Sequence, residues 1–87
     1  MKYGIIANPA SGKRSVDEKS KILKEIAGIL KDASIAGLDT KSPEEFSRAA
    51  HELSQKVDTL LVAGGDGTFS LVLNSVSKDI PLGFLPF

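Results

Sequence analysis

The chain opens on an apolar run from Lys2 to Ala7, carrying Tyr3, Ile5 and Ile6, that stops at Asn8-Pro9. Such a run, closed by a turn signal, predicts a strand covered on both faces in a parallel sheet. The period then changes. From Val16 to Lys31, Ile22, Leu23, Ile26, Ala27, Ile29 and Leu30 recur at spacings of three and four, opposite Asp17, Lys21, Lys24 and Lys31, which predicts an amphipathic helix. Ala33 to Leu38 predicts a short second strand, interrupted by Gly37. Ser42-Pro43-Glu44-Glu45 carries a capping box from Ser42 to Glu45 with Pro43 at the first helical position, so a second helix starts there and buries Phe46, Ala49, Ala50 and Leu53. Val57 to Ala63 is the most hydrophobic segment and predicts a central strand running up to a pair of glycines. Beyond them Thr68 is expected to cap a third helix whose inner face is Phe69, Val72, Leu73 and Val76, and Pro81 to Leu85 predicts a fourth strand.

Strands alternating with helices require right-handed crossovers. The expected fold is therefore α/β: a three-layer, Rossmann-like parallel sheet with helices on both faces. Ligands of such sheets bind beyond the carboxyl ends of the strands. Those ends carry Asn8 to Lys13, Thr40, and Gly64 to Thr68, so three loops should converge on one rim.

Composition narrows the class. At 87 residues the chain forms at most one small domain, expected to remove only about 60 to 65% of its unfolded surface from water. Hydrophobic residues at 41% and charged residues at 25% suit a folded domain and exclude a disordered one. Eleven basic residues balance eleven acidic ones and are mixed with them, which argues against a nucleic-acid partner. Without cysteine, a signal-peptide pattern or a membrane-spanning apolar run, the expected location is cytoplasmic, at most peripheral to a membrane. From Leu60 to Phe87 the charged residues are Asp66, Lys78 and Asp79, so this end reads as interior material, as though the chain stopped inside a core.

The chemistry concentrates in Gly64-Gly65-Asp66-Gly67-Thr68. Glycines between a buried strand and a helix let backbone amides approach a phosphate, and the helix N-terminus adds positive potential. A bare carboxylate would repel phosphate, so Asp66 makes sense as a magnesium contact, an acceptor from a hydroxyl, or a base. The bland reading is a tight turn in which Asp66 tolerates an unusual backbone angle and Thr68 merely caps. Asn8-Pro9-Ala10-Ser11-Gly12-Lys13 is similar to a phosphate loop, yet a Walker motif needs glycine at Ala7 and Ser or Thr at Arg14. A dinucleotide fingerprint fails as well, because Ser70 stands where its third glycine belongs. Lys13 either touches phosphate or faces water. His51, beside the apolar stripe of the second helix, and the Lys19, Lys21, Lys24 series read as solvated helix residues.

Taken together, Asn-Pro-x-Ser-Gly after the first strand and Gly-Gly-Asp-Gly-Thr after the third resemble the paired signatures of the diacylglycerol kinase catalytic family. Pro81-Leu82-Gly83-Phe84-Leu85-Pro86 is similar to its next block, which normally runs on into Gly-Thr-x-Asn. The resemblance implies the N-terminal, nucleotide-binding domain of a two-domain kinase, incomplete in residues 1–87, whose β-rich C-terminal domain is absent from this sequence. It implies ATP and magnesium as cofactors, and phosphoryl transfer to a lipid hydroxyl at a membrane surface. Gly64, Gly65, Asp66, Gly67 and Thr68 would cradle the phosphates, with Thr40 and Asn8 as further nucleotide contacts and Asp66 as the candidate catalytic residue; no metal ligand is assigned. Two departures stand out. Leu71 replaces an acid usual in the family, and Asn74-Ser75 replaces Asn-Gly.

Alternatives remain at this level. NAD kinase shares Gly-Gly-Asp-Gly-Thr, phosphofructokinase-like enzymes are more distant, and a non-catalytic nucleotide-binding or assembly module is the default for so short a chain. The nearly charge-free C-terminal end, with Leu82, Phe84, Leu85 and Phe87, also predicts a homodimer.

Overall fold

The computed structural model describes residues 2–10, 15–76 and 79–86. Four strands, β1 (Tyr3–Ala7), β2 (Ala33–Ala36), β3 (Thr59–Gly64) and β4 (Leu82–Pro86), alternate with three helices, α1 (Val16–Leu30), α2 (Pro43–Ser54) and α3 (Asp66–Ser75). The sheet has the order β2-β1-β3-β4 and every pairing is parallel. Ala7 lies opposite Ala63 at the carboxyl ends of the two central strands.

The absence of alternation in β1 and β3 now has its cause. Ile5, Ala7 and Ala63 pack with Leu23 of α1 on one face, while Ile6, Leu60 and Val62 pack with Phe46, Ala50 and Leu53 of α2 and Val72 of α3 on the other. A strand sandwiched in this way needs apolar side chains at every position. Fully burying each large aliphatic side chain contributes about 1.5 to 3 kcal/mol.

Several element ends differ from the sequence expectation, each for a local reason. Strand β2 stops at Ala36 rather than Leu38, because Gly37 takes a φ of 99° and turns onto β1; a Cβ there would sit 2.5 Å from the Ala7 carbonyl oxygen. Helix α1 ends at Leu30, after which Lys31 adopts a φ of 72° and the Asp32 N–H donates to Leu30 O at 2.9 Å. The capping box at α2 is shifted. Ser42 Oγ accepts from the Glu45 N–H at 3.2 Å as expected, but the Glu45 carboxylate accepts from the Lys41 N–H rather than that of Ser42.

Two expectations for α3 are corrected. Its N-cap is Gly65, which offers no side-chain bond, and Thr68 sits two residues inside the helix rather than capping it. Leu73 is 51% exposed and does not belong to the inner face, which is built on Val72 with Phe69, Leu71 and Val76 partly buried.

Candidate functional site

Strand β1 lies between β2 and β3, so the chain leaves β1 toward one edge and later leaves β3 toward the other. The carboxyl ends of β1 and β3 therefore form the switch point at which an open parallel sheet leaves a crevice. Asn8 follows β1 at that crevice, and Gly64 to Thr68 follow along β3 into α3.

A direct bond joins the two loops. Asn8 Nδ2 donates to Thr68 Oγ1 at 3.1 Å, while Asn8 Oδ1 accepts from the Ala10 N–H at 2.9 Å. Both ends of this side chain are thus engaged within the protein, which makes Asn8 a clasp between loops. Thr68 is 4% exposed and lies directly under Gly64. Gly64 has a φ of 156°, and a Cβ there would come within 2.8 Å of the threonine side chain. The sequence Gly-x-x-x-Thr is thereby explained as packing: a bare strand end lets Thr68 reach the first loop.

Gly65 and Gly67 differ from Gly64. Both are exposed, and a Cβ at either would meet nothing within 4 Å. The missing side chains therefore open space above the backbone rather than relieve an internal clash. The first amides of a helix have no partner within the helix, so this bare turn presents donors to an anion. Asp66, the first residue of α3, is exposed at the same turn.

Thr40 is half-buried. Its Oγ1 donates to Gly37 O at 2.6 Å, closing the turn that follows β2. With Asn8, Pro9, Ala10, Phe46 and Leu71 it lines a cleft of about 180 Å³. Leu71, standing where the family resemblance would place an acid, gives this cleft an apolar wall. The seven candidate residues lie at the carboxyl-end rim of the sheet, Gly64 at the end of β3, Asp66, Gly67 and Thr68 in the first turn of α3, and Asn8, Thr40 and Gly65 between elements. Ser11, Gly12 and Lys13 of the first signature lie outside the described residues.

Two residues were misread from sequence. Lys19 is fully buried rather than solvated, and its ammonium donates to Pro9 O at 2.9 Å and Asn8 O at 3.3 Å. Burial pushes its pKa below the usual 10.5. The signal was available: Lys19, Leu23, Ile26 and Leu30 fall on one helical stripe. His51 is half-buried, and its Nδ1 is 3.2 Å from Ser75 O at the end of α3.

The match to known proteins is decisive for the family. Residues 2–87 fit the family model described as the diacylglycerol kinase catalytic domain. This chain belongs to that family. It is 32% identical over 80 residues to a diacylglycerol kinase of Staphylococcus saprophyticus, covering 85% of this chain and 24% of the relative. The crystal structure of a diacylglycerol kinase from Bacillus anthracis str. Sterne superimposes with a TM-score of 0.76 at 30% identity, covering 98% of this chain and 32% of that one. A second crystal structure from the same strain matches with a TM-score of 0.77 at 28% identity, over 98% of this chain and 30% of the other. The chain therefore spans about a quarter to a third of the length of these relatives.

Proposed function

We propose that this chain is the nucleotide-binding part of an ATP- and magnesium-dependent lipid kinase, and that the full-length protein moves the γ-phosphoryl group of ATP to the hydroxyl of a diacylglycerol-like lipid at a membrane surface. The observation that carries the reading is the bare turn of Gly65, Asp66 and Gly67, open above its backbone and clasped through Thr68 to the first loop at the switch point. Family membership supports the kinase and ATP halves of the proposal; the lipid comes from the names of the relatives.

In this reading the amides of Gly65, Asp66 and Gly67 hold phosphate oxygens, the Asn8–Thr68 clasp fixes the turn, and the cleft beside Thr40 and Leu71 takes the remainder of the nucleotide. Among the described residues no cluster of three or more histidines or acids could hold a metal alone. Magnesium arriving with the nucleotide suits a site of this kind, because it is commonly held by one or two carboxylates together with phosphates and water. Asp66, exposed in the first turn of α3, is the carboxylate proposed to meet it. When bound, the ion neutralises charge developing on the transferred phosphoryl group. No helix among the described residues is long and apolar enough to cross a membrane. The position of β4 as an outer strand among the described residues supports a further part of the proposal, pairing with a second copy.

Calorimetric titration tests the phosphate site. Magnesium-ADP is expected to bind the wild-type chain weakly, and Gly65→Val to abolish binding while preserving the circular dichroism spectrum. Equal binding by both proteins sinks the proposed site.

A further inference from the structure

Lys19 has no exposed surface, and the nucleotide reading leaves it without a task. Its two acceptors, Asn8 O and Pro9 O, lie immediately past the end of β1, where the Asn8 N–H makes a last bond to Ala63 O at 3.3 Å. Pro9 cannot continue the ladder because it has no N–H. Carbonyls left there without donors would be costly, and an ammonium with three N–H groups meets both at once.

Apolar packing alone does not ask for this lysine. Its position continues the stripe of Leu23 and Ile26, where an apolar side chain would complete the packing against β1. No carboxylate among the described residues pairs with it. Burying a charge without a countercharge works against stability. What offsets that cost is the pair of carbonyls, one of which belongs to Asn8, the residue that clasps Thr68, and the other to its neighbour Pro9.

We infer that Lys19 is a positioning residue: its ammonium holds the Asn8–Pro9 turn down on α1, which keeps the Asn8 side chain on Thr68 at the start of α3. The consequence for ligand affinity rests on the nucleotide reading above; the control of Asn8 does not.

The test uses the full chain labelled with nitrogen-15, as wild type, Lys19→Met and Lys19→Arg, with Ile29→Ala as a control on the exposed side of the same helix. The first readout needs no ligand. In Lys19→Met the Asn8 side-chain amide resonances are expected to move toward those of a solvated asparagine, and in Ile29→Ala to stay in place. The second readout is magnesium-ADP affinity at a temperature where each variant is folded. Lys19→Met should bind about tenfold more weakly, with part of the loss restored by Lys19→Arg, which keeps donors for two carbonyls. Unmoved Asn8 resonances in a folded Lys19→Met overturn the inference, whatever the affinity. If the wild type itself takes no magnesium-ADP, the nucleotide reading fails while the Asn8 resonances still decide the role of Lys19. Should Lys19→Met not fold, exchange of the wild-type Lys19 ammonium protons decides instead. Exchange much slower than at Lys21 and Lys24 supports the buried bridge, and exchange as fast as theirs overturns it.

Discussion

A lysine with its charged end out of water ties stability to pH without any acid being involved. Burial lowers the pKa of Lys19 from 10.5 in the folded chain. Between that lowered value and 10.5, the unfolded chain holds a proton that the folded chain has released, so this residue's contribution to stability rises with pH across the window. At pH values below both, the folded state carries the full cost of burying the charge. Lys19→Met has no such group. The expected outcome is that the stability of wild type relative to Lys19→Met grows from pH 7 toward pH 10, measured by urea midpoints at matched ionic strength. A difference that stays flat with pH would show that the ammonium is hydrated in the folded protein. Residue types alone conveyed some of this site. The glycines announced an exposed turn with open space above its backbone, because a missing side chain is a local property. Thr68 did not announce its role: a threonine after a glycine turn looks like a cap, and its bond to Asn8 depends on β1 and β3 being neighbours.

At the scale of elements, apolar runs closed by turn signals predicted the strands, and spacings of three and four with capping residues predicted the helices. Boundaries shifted where backbone geometry overrode pattern, as at Gly37 and Lys31. Contacts between elements were less legible. His51 of α2 lies against the last turn of α3, its Nδ1 3.2 Å from Ser75 O and its Nε2 3.1 Å from Gln55 Nε2. A carbonyl only accepts, so Nδ1 carries the proton toward Ser75, and Nε2 accepts from the glutamine amide. This tether holds the far end of the helix whose first turn bears Asp66. His51→Ala is expected to lower stability by about 1 kcal/mol, the worth of one such bond, with the unfolding slope unchanged. A midpoint identical to wild type would mean that α3 is held by its apolar face alone.

At the scale of the molecule, β4 is an outer strand of the sheet formed by the described residues. The apolar surface beside it differs from the one expected. Leu82 and Leu85 are partly buried against the two cores, and Phe87 lies outside the described residues. The exposed group is Phe84, 43% accessible and packed edge-to-face on Phe69 at 5.7 Å, with Leu73 on the same helix. An outer strand offers unpaired backbone groups, and an apolar patch beside it adds a reason to pair. Sedimentation over a hundredfold concentration range is expected to show the 87-residue chain passing from monomer to dimer. A single monomeric species throughout rules out that pairing. The strand order also governs how the chain reaches this structure. Among the described strands no two neighbours form a hairpin, and β1 must keep one side open until β3 arrives with Leu60 opposite Gly4 and Ala63 opposite Ala7. Pairings between such distant segments close slowly. On the ribosome, β1 therefore waits through the synthesis of two helices and a strand before β3 can cover its second side, an interval in which its apolar surface is open to aggregation.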